Sequence, residues 1–275
     1  MDPILPNPDD LRLAEPVDGI DENGHPIALR IVTERSLTIF LDDQEVVTAM
    51  TIGDHPDLLA LGYLRNQSLI GSLDDIAGID MDQDEGLVVV RTRERRDVSN
   101  RMTKRIRTSG CAQGTVFADV LQQFKNVVLP KGPGVRHSDL VAVSKTINTV
   151  PSLYLEAGAI HGAVLCRGSK VLAYFEDVGR HNAVDKISGW MLMNRVTPDD
   201  KLFYTTGRLT SEMVIKTVMM GLPILASRSG FTAWGVELAR KSGLTLIGRM
   251  KGKRLILLSG AERVSLDLRE RDEAA

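Results

Sequence analysis

Three segments of this 275-residue chain set an arginine and a glycine side by side just ahead of an expected helix. They are Gly179-Arg180-His181, Thr206-Gly207-Arg208 and Ser227-Arg228-Ser229-Gly230, and each follows an apolar run that reads as a strand. Glycine lets a backbone approach a ligand closely, and a helix start offers unsatisfied N–H groups and the positive end of a dipole. Arginine adds a planar fork that grips phosphate oxygens. Each turn taken singly fits an ordinary strand–helix connection with a surface arginine. The three together fit a site for a phosphate-rich ligand larger than a single phosphate. A fourth basic element, Arg249-Met250-Lys251-Gly252-Lys253-Arg254, reads either as part of that site or as an exposed hairpin.

Nucleophilic chemistry has one candidate. Cys111 sits in Thr108-Ser109-Gly110-Cys111-Ala112-Gln113-Gly114-Thr115, before an expected helix and just after Lys104, Arg105 and Arg107. Cations and helix starts lower a thiol's pKa, and the thiolate is the reactive species. Cys166 ends an apolar strand and reads as a small core residue. His181 and Asp185 lie four apart on one helix, with Asp177 just upstream. They fit an acid/base group or a hydrogen-bonded helix start.

Other chemistries are disfavoured. The chain has no Gly-x-x-x-x-Gly-Lys-Ser/Thr loop, no His-Glu-x-x-His and no Gly-x-Ser-x-Gly elbow. His161-Gly162-Ala163 stands where a zinc deaminase would carry His-x-Glu, but the Glu and any Pro-Cys-x-x-Cys are missing, so no metal site is expected. Two cysteines are too few for a disulfide scaffold. A net charge of −2 argues against a nucleic-acid binder. No apolar run has the roughly 18 residues of a membrane helix, and the first ten residues lack a basic leader. A cytoplasmic protein with reduced thiols is expected. The charge is unevenly spread, with six acids and no base in residues 74–85 and eight bases against two acids in residues 91–107.

The elements that must hold these residues follow from the hydrophobic pattern. Residues 1–25 read as a flexible acidic tail, and 26–107 as a smaller α+β unit in which Asp54 is placed to cap a helix starting at Pro56. Residues 108–265 form the main α/β core, and 266–275 a charged tail. Strands are expected at 159–165, 170–175, 201–205, 222–226, 244–248 and 254–258. Helices are expected at 138–148, 182–194, 210–220 and 232–241. Such alternation implies a largely parallel or mixed sheet covered by helices.

The segment Glu176-Asp177-Val178-Gly179-Arg180-His181-Asn182-Ala183-Val184-Asp185-Lys186 closely resembles the signature of the formate dehydrogenase accessory sulfurtransferases, the FdhD family. Ser109-Gly110-Cys111, Gly158–Ala163, Thr205–Arg208 with Ser211-Glu212-Met213, Ser227-Arg228-Ser229 and Val236–Gly248 match as well, and the likeness runs from about Arg35 to Arg263. The resemblance implies a cytidine-deaminase-like mixed-sheet core, a homodimer and a cytoplasmic setting. It implies a sulfurtransferase that takes persulfide sulfur from a cysteine desulfurase onto Cys111. The sulfur then passes to the molybdenum bis(molybdopterin guanine dinucleotide) cofactor, carried as a substrate for a formate dehydrogenase client. The family's cofactor segment falls on Arg249–Arg254, and Arg180, Arg208 and Arg228 fit the cofactor's phosphates. Many members carry Cys-x-x-Cys in the loop, whereas here the second position is Gly114. The alternative is therefore a cofactor-binding chaperone without sulfur transfer.

Overall fold

The structure, a computed structural model, describes residues 2–96, 98, 105–107 and 115–268. Strands lead. β1 (Ala14–Ile20) and β2 (Pro26–Val32) form one antiparallel hairpin, and β3 (Arg35–Leu41) and β4 (Gln44–Thr51) a second. The helix α1 (Pro56–Asn66) separates them from β5 (Ile76–Asp82) and β6 (Leu87–Thr92), which complete a four-stranded sheet of order β4-β3-β6-β5. β7 (Arg105–Arg107) and β8 (Thr115–Phe117) pair ahead of α2 (Ala118–Phe124).

Next come β9 (Val135–Arg136), α3 (His137–Ile147), α4 (Leu153–Glu156), β10 (His161–Arg167) and β11 (Lys170–Asp177). Then strands and helices alternate: α5 (Arg180–Met193), β12 (Leu202–Thr205), α6 (Ser211–Met219), β13 (Ile224–Ser227), α7 (Ala233–Ser242) and β14 (Thr245–Lys251). β15 (Arg254–Ser259) and β16 (Val264–Ser265) close the described chain, β16 pairing with β9. The main sheet has the order β11-β10-β12-β13-β14-β15. Its centre, β12-β13-β14, is parallel and the outer pairings are antiparallel.

Both faces of this sheet are covered, which is why its strands are apolar at nearly every position. Along β10 the period of two sends Ala163 and Leu165 to one core and Val164 and Cys166 to the other. The first core holds α5, α6 and α7, and the second holds α3 through Leu140, Val143 and Ile147. α1 lies between α5 and the four-stranded sheet, joining the smaller sheet to the larger core.

Two local features differ from the sequence expectation. Residues 14–20, expected in a tail, form β1, and Ile4 bridges to Ala173 on the outer edge of β11. Pairing with β2, rather than a buried face, supports β1, whose residues are mostly exposed. Asp54 does not cap α1. His55 occupies that position in a left-handed conformation, and the Asp54 carboxylate reaches Lys186 instead.

Candidate functional site

The carboxyl ends of β12, β13 and β14 lie side by side, and the turns that follow are tied together by main-chain hydrogen bonds. Leu209 N–H donates to Gly230 O at 2.9 Å, Thr232 N–H to Leu209 O at 3.1 Å, and Arg249 N–H to Ser229 O at 3.0 Å. Ser227 Oγ donates to Gly207 O at 2.6 Å. One rim therefore carries the turns of Arg208, Arg228 and Arg249. The N-termini of α6 and α7 open from the same rim, as expected at the strand ends of an α/β sheet. Within this rim Thr232 caps α7 by accepting from Gly235 N–H at 3.2 Å.

Arg180 joins the group from the neighbouring connection. It is the first residue of α5 and is buried, with its stem against the turn after β12. A Cβ added to Gly207 would stand 2.9 Å from Arg180 Cβ, so only glycine lets that turn pass over it. His161, at the start of β10, bonds Thr206 Oγ1 through Nδ1 at 3.4 Å. Burial lowers its pKa, and Arg180 and Arg208 lower it further, so both guanidinium groups act on this one imidazole.

Arg208 and Arg228 are exposed. Arg228 is nonetheless oriented: its Nη1 reaches the Tyr154 hydroxyl and, at 3.4 Å, Asn148 Oδ1, and its guanidinium lies 5.7 Å from the centre of the Tyr154 ring. Arg249 is exposed and left-handed (φ 51°), with its guanidinium 5.5 Å from the centre of the Phe231 ring. Gly248 is required beneath that ring, because a Cβ there would come within 2.6 Å of Phe231 Cδ1. Lys251, Gly252, Lys253 and Arg254 form the exposed tip of the β14–β15 hairpin at the same end of the sheet. Met250, grouped with them by sequence, is 2% exposed and packs in the second core. Cys111 and its loop lie outside the described residues. Cys166 is fully buried, and burial pushes its thiol up to about 12.

His181 and Asp185 do not act on each other. His181 Nε2 stands 3.2 Å from Glu212 Oε2, while Asp185 takes the Lys216 ammonium at 2.9 and 2.7 Å and the Asn66 amide at 2.7 Å. Burial, with Lys216 next, holds His181 well below the ordinary imidazole range, so it is neutral at pH 7. These two rungs between α5 and α6 border a cavity of about 430 Å³, which also meets His161 and Arg180 on its polar side and Ile39, Val47 and Leu59 on its apolar side.

Sequence reasoning missed Tyr154 and Phe231, and it took Glu212 only as part of a matching segment with no role of its own. A tyrosine or phenylalanine carries no local mark of stacking on an arginine from a later turn of the chain. The charge counts also gave no sign that part of the basic run is paired. Arg91 pairs with Asp80 at 2.5 Å, Arg96 with Asp75 at 3.0 Å, and Arg95 with Asp43. The hairpin of β5 and β6 thus lays part of the basic run against part of the acidic one.

Residues 32–265 match the model of the FdhD/NarQ family. The chain belongs to the FdhD/NarQ family. A relative in Nocardia farcinica, named sulfur carrier protein FdhD, is 33% identical over 245 residues, covering 85% of this chain and 88% of its own. A Listeria innocua protein of the same name is 28% identical, with 86% and 91% covered. A crystal structure of a formate dehydrogenase accessory protein from Desulfotalea psychrophila superposes with a TM-score of 0.75 at 24% identity. It covers 92% of this chain and 100% of that one, and so has the same mixed α+β fold.

Proposed function

We propose that this protein is a sulfur carrier in formate dehydrogenase maturation, taking sulfur from a cysteine desulfurase onto Cys111 and presenting it to a bound molybdenum cofactor. The observation that carries the reading is the rim at the carboxyl ends of β12, β13 and β14, where backbone hydrogen bonds hold the turns of Arg208, Arg228 and Arg249 together. A bis(molybdopterin guanine dinucleotide) cofactor is cargo here, and its two diphosphates match a rim with three arginines, two of them held against aromatic rings, and two helix N-termini. The exposed tip residues Lys251, Lys253 and Arg254 extend the same positive surface, and the buried Arg180 adds its charge behind the turn after β12. The names of the relatives support the carrier role.

In the first transfer, the Cys111 thiolate attacks the outer sulfur of the donor persulfide. A new S–S bond forms on Cys111, and the donor cysteine leaves as a thiolate. Gly114 removes a second loop cysteine, so no disulfide within Cys111–Gly114 can release that sulfur. The same residue favours a second reading, in which the protein only carries the cofactor.

A single-turnover reaction with a cysteine desulfurase and ³⁵S-cysteine separates the two. The sulfur-carrier reading expects label on the wild type and none above background on Cys111→Ala. Equal label on both proteins removes Cys111 as carrier. Full dehydrogenase maturation by Cys111→Ala favours the cofactor chaperone.

A further inference from the structure

We propose that Glu176 and Tyr154 are positioning residues for Arg228, forming a relay that fixes the guanidinium for anion binding. The proposal rests on the reading of Arg228 as a phosphate contact given above. Glu176 is 3% exposed at the end of β11 and is not itself on the rim. Its carboxylate takes two successive main-chain donors at the start of α4: Leu153 N–H on Oε2 and Tyr154 N–H on Oε1, each at 2.9 Å. Those bonds fix the backbone of Tyr154, whose hydroxyl accepts from Arg228 and whose ring lies under it. An exposed arginine otherwise loses much side-chain entropy on binding, and this support removes part of that loss in advance.

The relay depends on a carboxylate that accepts at both oxygens. A carboxylic acid turns one oxygen into a donor and a poorer acceptor, so it holds one of the two amides more weakly. Burial raises the Glu176 carboxyl to about 7, against the Tyr154 and Leu153 amides, which lower it. The groups facing it are Tyr174 on its own strand, Tyr154 on α4, Asp54 before α1, and Lys186 on α5, whose ammonium takes the Glu176 main-chain oxygen at 2.8 Å. Because the folded pKa is raised, this group stabilises the fold most below the ordinary carboxylate pKa. That stability is lost as pH rises through about 7. Arg228 positioning runs the other way and improves as the carboxyl ionises. A merely structural Glu176 would not weaken binding as the fold gains stability.

The test is calorimetric titration of the full chain with GDP at pH 6 and pH 8, with thermal unfolding at both. Wild type is expected to bind GDP several-fold more weakly at pH 6. Glu176→Gln, which presents one acceptor and one donor, is expected to bind at pH 8 as wild type does at pH 6. It should lose the pH 6 to pH 8 difference while remaining at least as stable at pH 8. Tyr154→Phe keeps the ring and loses the acceptor, and is expected to weaken binding about tenfold, the scale of one hydrogen bond to a charged group. Arg228→Ala tests the underlying reading, and wild-type affinity in that variant overturns it and the relay together. Weakened binding in Arg228→Ala, with wild-type affinity and pH response in both Glu176→Gln and Tyr154→Phe, overturns the relay alone.

Discussion

Lys186 is a fully buried ammonium held by oxygens from two parts of the chain. It donates to Asp177 Oδ2 at 2.6 Å and Glu176 O at 2.8 Å, and it pairs with Asp54. Burial pulls its pKa down, but Asp177 and Asp54 outweigh that and hold it charged. Asp177 is shared further, accepting from Thr51 Oγ1 at 2.5 Å, Asn182 Nδ2 at 2.8 Å and Gly179 N–H at 3.0 Å. Removing one partner of such a group strands the others in a low dielectric. Lys186→Met is therefore expected to destabilise the protein by about 3–5 kcal/mol, read from urea unfolding. At this scale the sequence named Asp54, Asp177 and Lys186 but not the contacts between them. Cys166 was legible because an apolar strand describes its own surroundings. Asp54 was not, because its partner lies 132 residues away and the local pattern made it a helix cap.

Helices α1 and α5 cross backbone to backbone. A Cβ on Gly62 would fall 1.7 Å from Asp185 O, and one on Gly189 would fall 2.0 Å from Leu58 O. Neither distance can be met by moving a flexible side chain, so the helices would have to separate. Gly189→Ala is expected to destabilise by about 3 kcal/mol or more through overpacking, measured as a fall in the urea midpoint at unchanged slope. This contact also explains what the apolar pattern of α5 left out. The stripe of Ala183, Ile187, Trp190, Met191 and Asn194 predicts one buried face, and the helix is buried nearly all round. The stripe finds the sheet. The other face is covered by α1, whose approach depends on two glycines that carry no hydrophobic signal. The strands of the main sheet were legible for the opposite reason, since burial on both faces leaves continuous apolar runs. The strand ends, and hence the rim, followed from them.

Over the whole molecule, a net charge of −2 is the sum of segments that meet in space. Asp75 and Asp80 from the acidic run lie against Arg96 and Arg91 of the basic run. Composition could not reveal that pairing, because it depends on β5 and β6 being neighbours. Turn chemistry alone placed Arg208 and Arg228 at strand ends and left the Arg249 segment open between site and hairpin, whereas Met250 was swept into that segment by adjacency and belongs to the core. The first residues have a consequence of another kind. Ile4 N–H donates to Leu172 O at 3.2 Å and Ile4 O accepts from Tyr174 N–H at 2.9 Å, on the side of β11 that, among the described residues, has no strand neighbour in the main sheet. That position is where a strand from another molecule would add. Deleting residues 2–6 is expected to leave the circular dichroism spectrum unchanged and to raise light scattering with protein concentration. A few residues outside every recognised motif thus help to keep one molecule from joining the next.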